Sequence, residues 1–180
     1  MTVTNSDIKR WGSYTDRKNS YDDDDDIIEF IKLCKKEDQS LREYLKSYLP
    51  DESLVFKPKM NGKYGVDLSI TTKDRKVCAT IDIERWSQWK EDWPSYYKHI
   101  HFLCRKEKFL NEYEVPFFMA FMNYDRTKVL MISEQDIRKY PTIDKYFKHK
   151  RVTDRVKELP MSSGHLFGKN ITLRERNLFQ

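Results

Sequence analysis

In the first third of the chain, apolar residues return every three or four positions. Ile27, Ile28, Ile31 and Cys34 follow an acidic run, Asp22 to Asp26, whose carboxylates suit the free N–H groups and positive dipole of a helix start. Ser40-Leu41-Arg42-Glu43 has the form of a capping box, and Leu41, Tyr44, Leu45 and Tyr48 make a stripe that stops before Pro50. Together they predict a helical region over 25–49, broken near Asp38. The pattern then changes to short runs of strand character: Leu54–Phe56, Tyr64–Thr71 after the Asn61-Gly62 turn, and Lys76–Glu84 after Lys73-Asp74. In the third run Val77, Ala79, Ile81 and Ile83 face one side, while Cys78, Thr80, Asp82 and Glu84 face the other.

Beyond it, Trp86, Trp89 and Trp93 are spaced as one helix face ended by Pro94, a stripe that suits packing on a sheet better than stacking on bases. Ile100–Leu103 reads as a brief extended piece and Arg105–Tyr113 as helix. Val115–Met122 and Lys128–Ile132 read as two strands around a loop at 123–127, and Ser133 caps a short helix that ends before Pro141. The remainder reads as irregular, with Gly164 and Gly168 marking loops. There are no repeats and no Gly/Ser/Pro-rich linker, so the expected organisation is one α/β domain. It divides into an N-terminal arm over 1–24, a core over 25–147 and a basic C-terminal segment over 148–180.

Composition narrows the classes. With 38% hydrophobic and 14% aromatic residues, the chain of 180 residues has enough apolar side chains for a core and too many for a disordered protein. No stretch reaches the ~20 apolar residues of a membrane span, and the N-terminus has no secretory apolar segment. Three cysteines, Cys34, Cys78 and Cys104, lack paired spacing and fit a reducing, cytoplasmic setting. The net charge of +5 is uneven: residues 148–180 hold eight Lys/Arg and three acids, which leaves 26 of each sign in 1–147. A basic segment beside a neutral body suits a phosphate-binding protein and equally an ordinary surface.

The candidate chemistry lies on the second and third strands. A hairpin through Lys73-Asp74 makes them neighbours, and period two puts Asp82 and Glu84 on one face. If Asp67 shares that face, three carboxylates converge, which is costly unless a cation sits among them. Ligands that are all oxygen suit Mg²⁺ or Mn²⁺, which would bind a phosphate oxygen and lower the pKa of a water. Acids on a half-exposed sheet can equally be plain surface charge.

The order of helix, strand, Gly65-Val66-Asp67, turn, Ile81-Asp82-Ile83-Glu84, helix and strand–loop–strand resembles the PD-(D/E)XK nuclease superfamily over about residues 25–140. The resemblance implies a restriction-endonuclease-like mixed central sheet flanked by helices. Asp67 and Asp82 would be metal ligands, with Glu84 standing where that superfamily usually has Lys. Some members carry a second Glu there, and others draw the Lys from a nearby helix; Lys106, in Arg105-Lys106-Glu107-Lys108, is the candidate for such a migrated cation. Small phage and bacterial members look similar around the acidic strand, the following Trp and the Arg-Lys pair. Glu29 or Glu43 could add an acid, as in some relatives.

Two functions follow as expectations. The first is a Mg²⁺- or Mn²⁺-dependent deoxyribonuclease using Asp67, Asp82, Glu84 and Lys106, with Arg85, Arg105, Lys108, Lys150 and Arg151 contacting DNA phosphates. The rival is a catalytically degenerate nuclease fold that acts as a nucleic-acid-binding or protein-interaction module, with a phage origin suiting either. DNA is the expected partner, with a homodimer or a protein partner compatible and no membrane. His99, His101 and Cys104 lack a fourth ligand for zinc, and no phosphate-binding Gly loop is present.

Overall fold

The helical spacing of the first segment is realised as α1 (Ser20–Lys32), a π-helical turn over Leu33–Glu37, and α2 (Gln39–Lys46). This computed structural model describes residues 20–49, 54–60, 65–111, 114–148 and 150–179. Most of the expected arm therefore lies outside the described residues, and α1 begins inside its expected end. The break falls at Asp38, which also corrects the cap. Asp38 rather than Ser40 caps α2, accepting from the Leu41 N–H at 2.9 Å through one oxygen and from the Gly168 N–H at 2.7 Å through the other. Gly168 has φ +119°, and a Cβ there would lie 2.2 Å from the Thr127 carbonyl oxygen, so only glycine fits.

Six strands form the main sheet in the order β1-β2-β3-β5-β6-β9: β1 (Val55–Pro58), β2 (Leu68–Thr71), β3 (Val77–Arg85), β5 (Phe117–Met122), β6 (Lys128–Ser133) and β9 (His165–Gly168). All neighbours are antiparallel except β3 and β5, which are parallel. A parallel pair needs a long crossover. Here it carries β4 (Ile100–Leu103) and a 3-10 segment, Cys104–Leu110. β4 belongs to a second sheet of order β4-β8-β7, completed by β7 (Ile143–Phe147) and β8 (Val152–Leu159). The short helix α3 (Glu134–Arg138) follows β6, and α4 (Leu173–Leu178) is the last described element. Among the described residues no helix is long and apolar enough to cross a membrane.

Each face of the main sheet has its own core. Ala79, Ile81 and Ile83 pack with Phe118, Ala120 and Met122 under α1 and α2, against Ile27, Phe30, Leu41 and Leu45. On the other face Phe117, Met119 and Phe121 meet Trp86, Trp89, Trp93, Ile100 and Phe102.

Three expectations need correction. The three tryptophans are buried but lie on no helix. Residues 86–99 run as turns, with the Trp89 N–H on the Trp86 carbonyl and the Trp93 indole N–H on the Tyr97 carbonyl at 3.0 Å. Docking of each indole in the second core overrides the helical spacing. The helix expected over 105–113 is the tighter 3-10 form and ends at Leu110 among the described residues. The basic C-terminal segment is not irregular: it supplies β8, β9 and α4.

α4 is fixed from below by a buried charge network. Glu175, fully buried, accepts from Lys128 Nζ at 2.6 Å, from the Thr172 N–H at 3.0 Å and from the Trp89 indole at 2.7 Å. Lys128 Nζ also donates to the Glu91 carbonyl. Every charged atom in this network has a hydrogen-bond partner, which is what makes burial of a charged pair tolerable.

Candidate functional site

The antiparallel register of β2 and β3 sets Leu68 opposite Ile81, so the preceding Asp67 comes beside Asp82 on the same face. That face is the one that carries Phe117, Met119 and Phe121 on neighbouring β5, since Asp82 pairs with Met119 and Glu84 with Phe121. The acids therefore sit beneath the second core rather than in open solvent. Asp82 is 5% exposed. Asp67 anchors one oxygen on the Ile83 N–H at 2.8 Å.

Lys106 reaches this cluster from the 3-10 segment. Its Nζ lies 2.6 Å from Asp82 Oδ2 and 3.0 Å from Glu84 Oε2. Burial works against the ammonium, yet Asp82, Glu84 and Asp67 together outweigh it and hold the amine above its ordinary value. Lys106 is therefore a fixed positive charge at neutral pH. Asp67 shows the reverse balance. Burial first, then the adjacent Asp82 carboxylate, push its carboxyl well above the usual carboxylate range, while the Ile83 N–H and Lys106 pull the other way. Crowding of Asp67 against Asp82 thus disfavours the charged form of Asp67, while Lys106 offsets part of that cost.

Hard oxygen donors in negative excess suit Mg²⁺ or Mn²⁺. The fit carries one condition, because Lys106 already holds Asp82 and Glu84 and a divalent ion would have to share them. Among the described residues no three His, Cys, Asp or Glu side chains form a ready metal-holding group. The cluster as built is carboxylate–ammonium, rather than the bare triad of acids that the strand pattern predicts.

The expected phosphate contacts divide. Arg85, Arg105 and Lys150 line a cleft of about 540 Å³ together with Glu84, between the C-terminal end of β3 and the second sheet. Arg85 lies 4.0 Å from Asp26 and over the Tyr124 ring, and Arg105 lies 3.9 Å from Asp154. Lys108 lies outside that lining, with its Nζ over the Phe109 ring, and Arg151 occupies the β7–β8 turn with φ +49°. Glu29 and Glu43 do not join the acids. They sit on α1 and α2, which cover the opposite face of the sheet, and they engage Lys32 and Gln39 at 3.0 Å each. His101 and Cys104 go to separate partners, Glu158 at 3.2 Å and Thr142 at 3.5 Å.

Sequence reasoning missed the cleft's aromatic wall of Trp86, Tyr97, His101 and Phe147, because it forms only when β4 pairs with β8. It also missed Asp26, which is buried and held 2.6 Å from Arg126. The acidic run around Asp26 signals a helix start, and nothing in its spacing marks one member as an internal ion-pair partner.

No protein-family model, curated protein or solved structure matches this chain.

Proposed function

We propose that the protein is a divalent-metal-dependent nuclease that hydrolyses DNA phosphodiester bonds at the Asp67–Asp82–Glu84–Lys106 cluster. The observation that carries this reading is the convergence of Asp67 and Asp82 on one face of paired strands with Lys106, whose Nζ lies 2.6 Å from Asp82 and 3.0 Å from Glu84. Order of elements adds support. A helical layer, three antiparallel strands and a parallel partner reached by a crossover agree with the restriction-endonuclease-like fold that the sequence resembles.

Asp67, Asp82 and Glu84 would hold the ion, which when bound supplies charge stabilisation and a more acidic water. The chain's own groups do the rest. Lys106, fixed in its charged form, offers N–H donors and positive charge to a phosphoryl oxygen as charge builds there. Glu84, between Lys106 and the cleft, is placed to orient a water by accepting its hydrogen bond. Arg85, Arg105 and Lys150 hold the flanking backbone.

One observation favours a second reading, a degenerate nuclease fold that binds without cleaving. Lys106 already bonds both Asp82 and Glu84, so the acids are partly satisfied inside the protein. A cleavage assay with Mg²⁺, Mn²⁺ or EDTA on supercoiled plasmid and on single-stranded and flapped DNA, run on wild type and Asp82→Ala, separates the two. The nuclease reading expects metal-dependent cleavage of at least one of these DNAs that the substitution abolishes. Binding of DNA without cleavage of any of them in either metal supports the second reading.

A further inference from the structure

The cleft beside Glu84 has a composition that the carboxylate chemistry does not account for. Trp86, Tyr97, His101 and Phe147 line one side of it, with successive ring centroids 5.2, 6.4 and 5.8 Å apart and ring planes inclined by 43°, 74° and 90°, so a base would stack on one ring at a time. Arg85, Arg105 and Lys150 stand on the same lining against Glu84 and Asp154, one positive charge in excess. Its volume, about 540 Å³, is in the range of pockets that enclose a small organic ligand. A hollow of that size admits a nucleotide unit, whereas the bases of an intact duplex are stacked and paired out of reach.

We infer that this cleft binds one nucleotide of a single strand, with its base against the aromatic wall and its phosphates toward Arg105 and Lys150, so that the protein's substrate is a single-stranded end or flap. The assignment rests on the nuclease reading for its choice of a nucleic acid as ligand. Rings that stack on any base, combined with cations that follow the backbone, are how sequence-tolerant single-strand sites work. The cleft meets the carboxylate cluster at Glu84, which also contacts Lys106 at 3.0 Å. A strand seated here therefore runs its next phosphodiester toward Asp82.

Fluorescence anisotropy of an internally labelled short oligothymidylate, in EDTA so that nothing is cleaved, tests this against a blunt duplex of equal length. The full-length chain is expected to bind the single strand at least about tenfold more tightly. Lys150→Gln, in an exposed turn, should reduce the log–log salt slope by about 0.7, the signature of one lost single-strand phosphate contact. Phe147→Leu should weaken binding about tenfold with the slope unchanged, as loss of stacking does. Lys139→Glu, remote on the end of α3, should change neither. Equal or tighter duplex binding, no binding of the oligothymidylate, or single-strand binding indifferent to both Lys150→Gln and Phe147→Leu overturns the inference. A parallel cleavage arm with Mn²⁺ keeps the two proposals apart. The expected binding pattern without cleavage leaves the cleft assignment standing and removes the nuclease, and Asp82-dependent cleavage with binding indifferent to both variants does the opposite.

Discussion

Lys128, fully buried, and Lys106, partly buried, each hold a carboxylate at 2.6 Å, and the two sites are built on different principles. At Lys128 one cation meets one acid, and Glu175 has donors on both oxygens from Lys128, Thr172 and Trp89. At Lys106 one cation meets Asp82 and Glu84, with Asp67 pressed against Asp82 as a further acid. The first site is closed: charge cancels and donors match acceptors. At the second, Asp67 crowds Asp82 where burial disfavours the charged forms, and the Asp67 carboxyl is pushed above the usual carboxylate range. Closed networks hold elements together, while unbalanced ones are where chemistry is placed. On that contrast the Lys128 cluster fastens α4 to the sheet, and the Lys106 cluster is the proposed working site.

The sharpest way to break the comparison is to remove a partner from the closed network. Lys128→Met leaves Glu175 buried without its counter-charge and should cost about 3–5 kcal/mol of stability in urea denaturation. A loss below about 1 kcal/mol would show that this network is not a staple. At the open cluster the main effect should fall on activity. Asp82→Asn is isosteric and should lower metal-dependent cleavage at least about a hundredfold, measured on plasmid or oligonucleotide, while the chain still folds. A smaller step sharpens the first site again: Trp89→Phe removes one donor to Glu175 and should cost about 1–2 kcal/mol by the same denaturation measurement.

The smallest effect has the more telling sign. Asp67 has a folded pKa above its unfolded value, so between those two values the folded protein holds a proton that the unfolded chain has released. Its contribution to metal-free stability is present below the ordinary Asp value and is lost as pH rises toward the raised folded value. Asp67→Asn removes that loss, and should make the metal-free protein more stable than wild type by about 1 kcal/mol at the upper end of that window, read from urea midpoints across pH. A destabilised Asp67→Asn at every pH would mean that Asp67 is a structural carboxylate like Glu175.

Parts of this architecture were legible in the chain and parts were not, for physical reasons. The β2–β3 pair declares itself through the alternation of Val77, Ala79, Ile81 and Ile83 and a turn at Lys73-Asp74, and the face shared by Asp82 and Glu84 follows from that period, whereas the place of Asp67 on it depends on the register that sets Leu68 opposite Ile81. β5 and β6 show as apolar runs because both of their faces are buried. The tryptophans mislead because spacing of three and four is as compatible with a folded turn docked by its side chains as with a helix. β7 and β8 hide because charged residues interrupt their apolar alternation and several of their apolar residues, Ile143, Tyr146 and Val152, are exposed; the cue left is Val152, Thr153 and Val156 across the turn from Tyr146 and Phe147. Ser40 and Asp38 both have capping side chains, and the contact that decides between them is with Gly168, 130 residues away. Lys106 is 24 residues from Asp82. Its candidacy came from the family resemblance, and its contact with both acids depends on a crossover that no local pattern encodes.

The central claim is that the Lys106 cluster, with its surplus acid, takes up a divalent cation, and titration calorimetry with Mn²⁺ tests it most directly. Wild type should bind one ion and Asp82→Asn none, with Lys139→Glu binding as wild type does. Absence of binding to wild type, or binding that survives Asp82→Asn unchanged, would contradict the account.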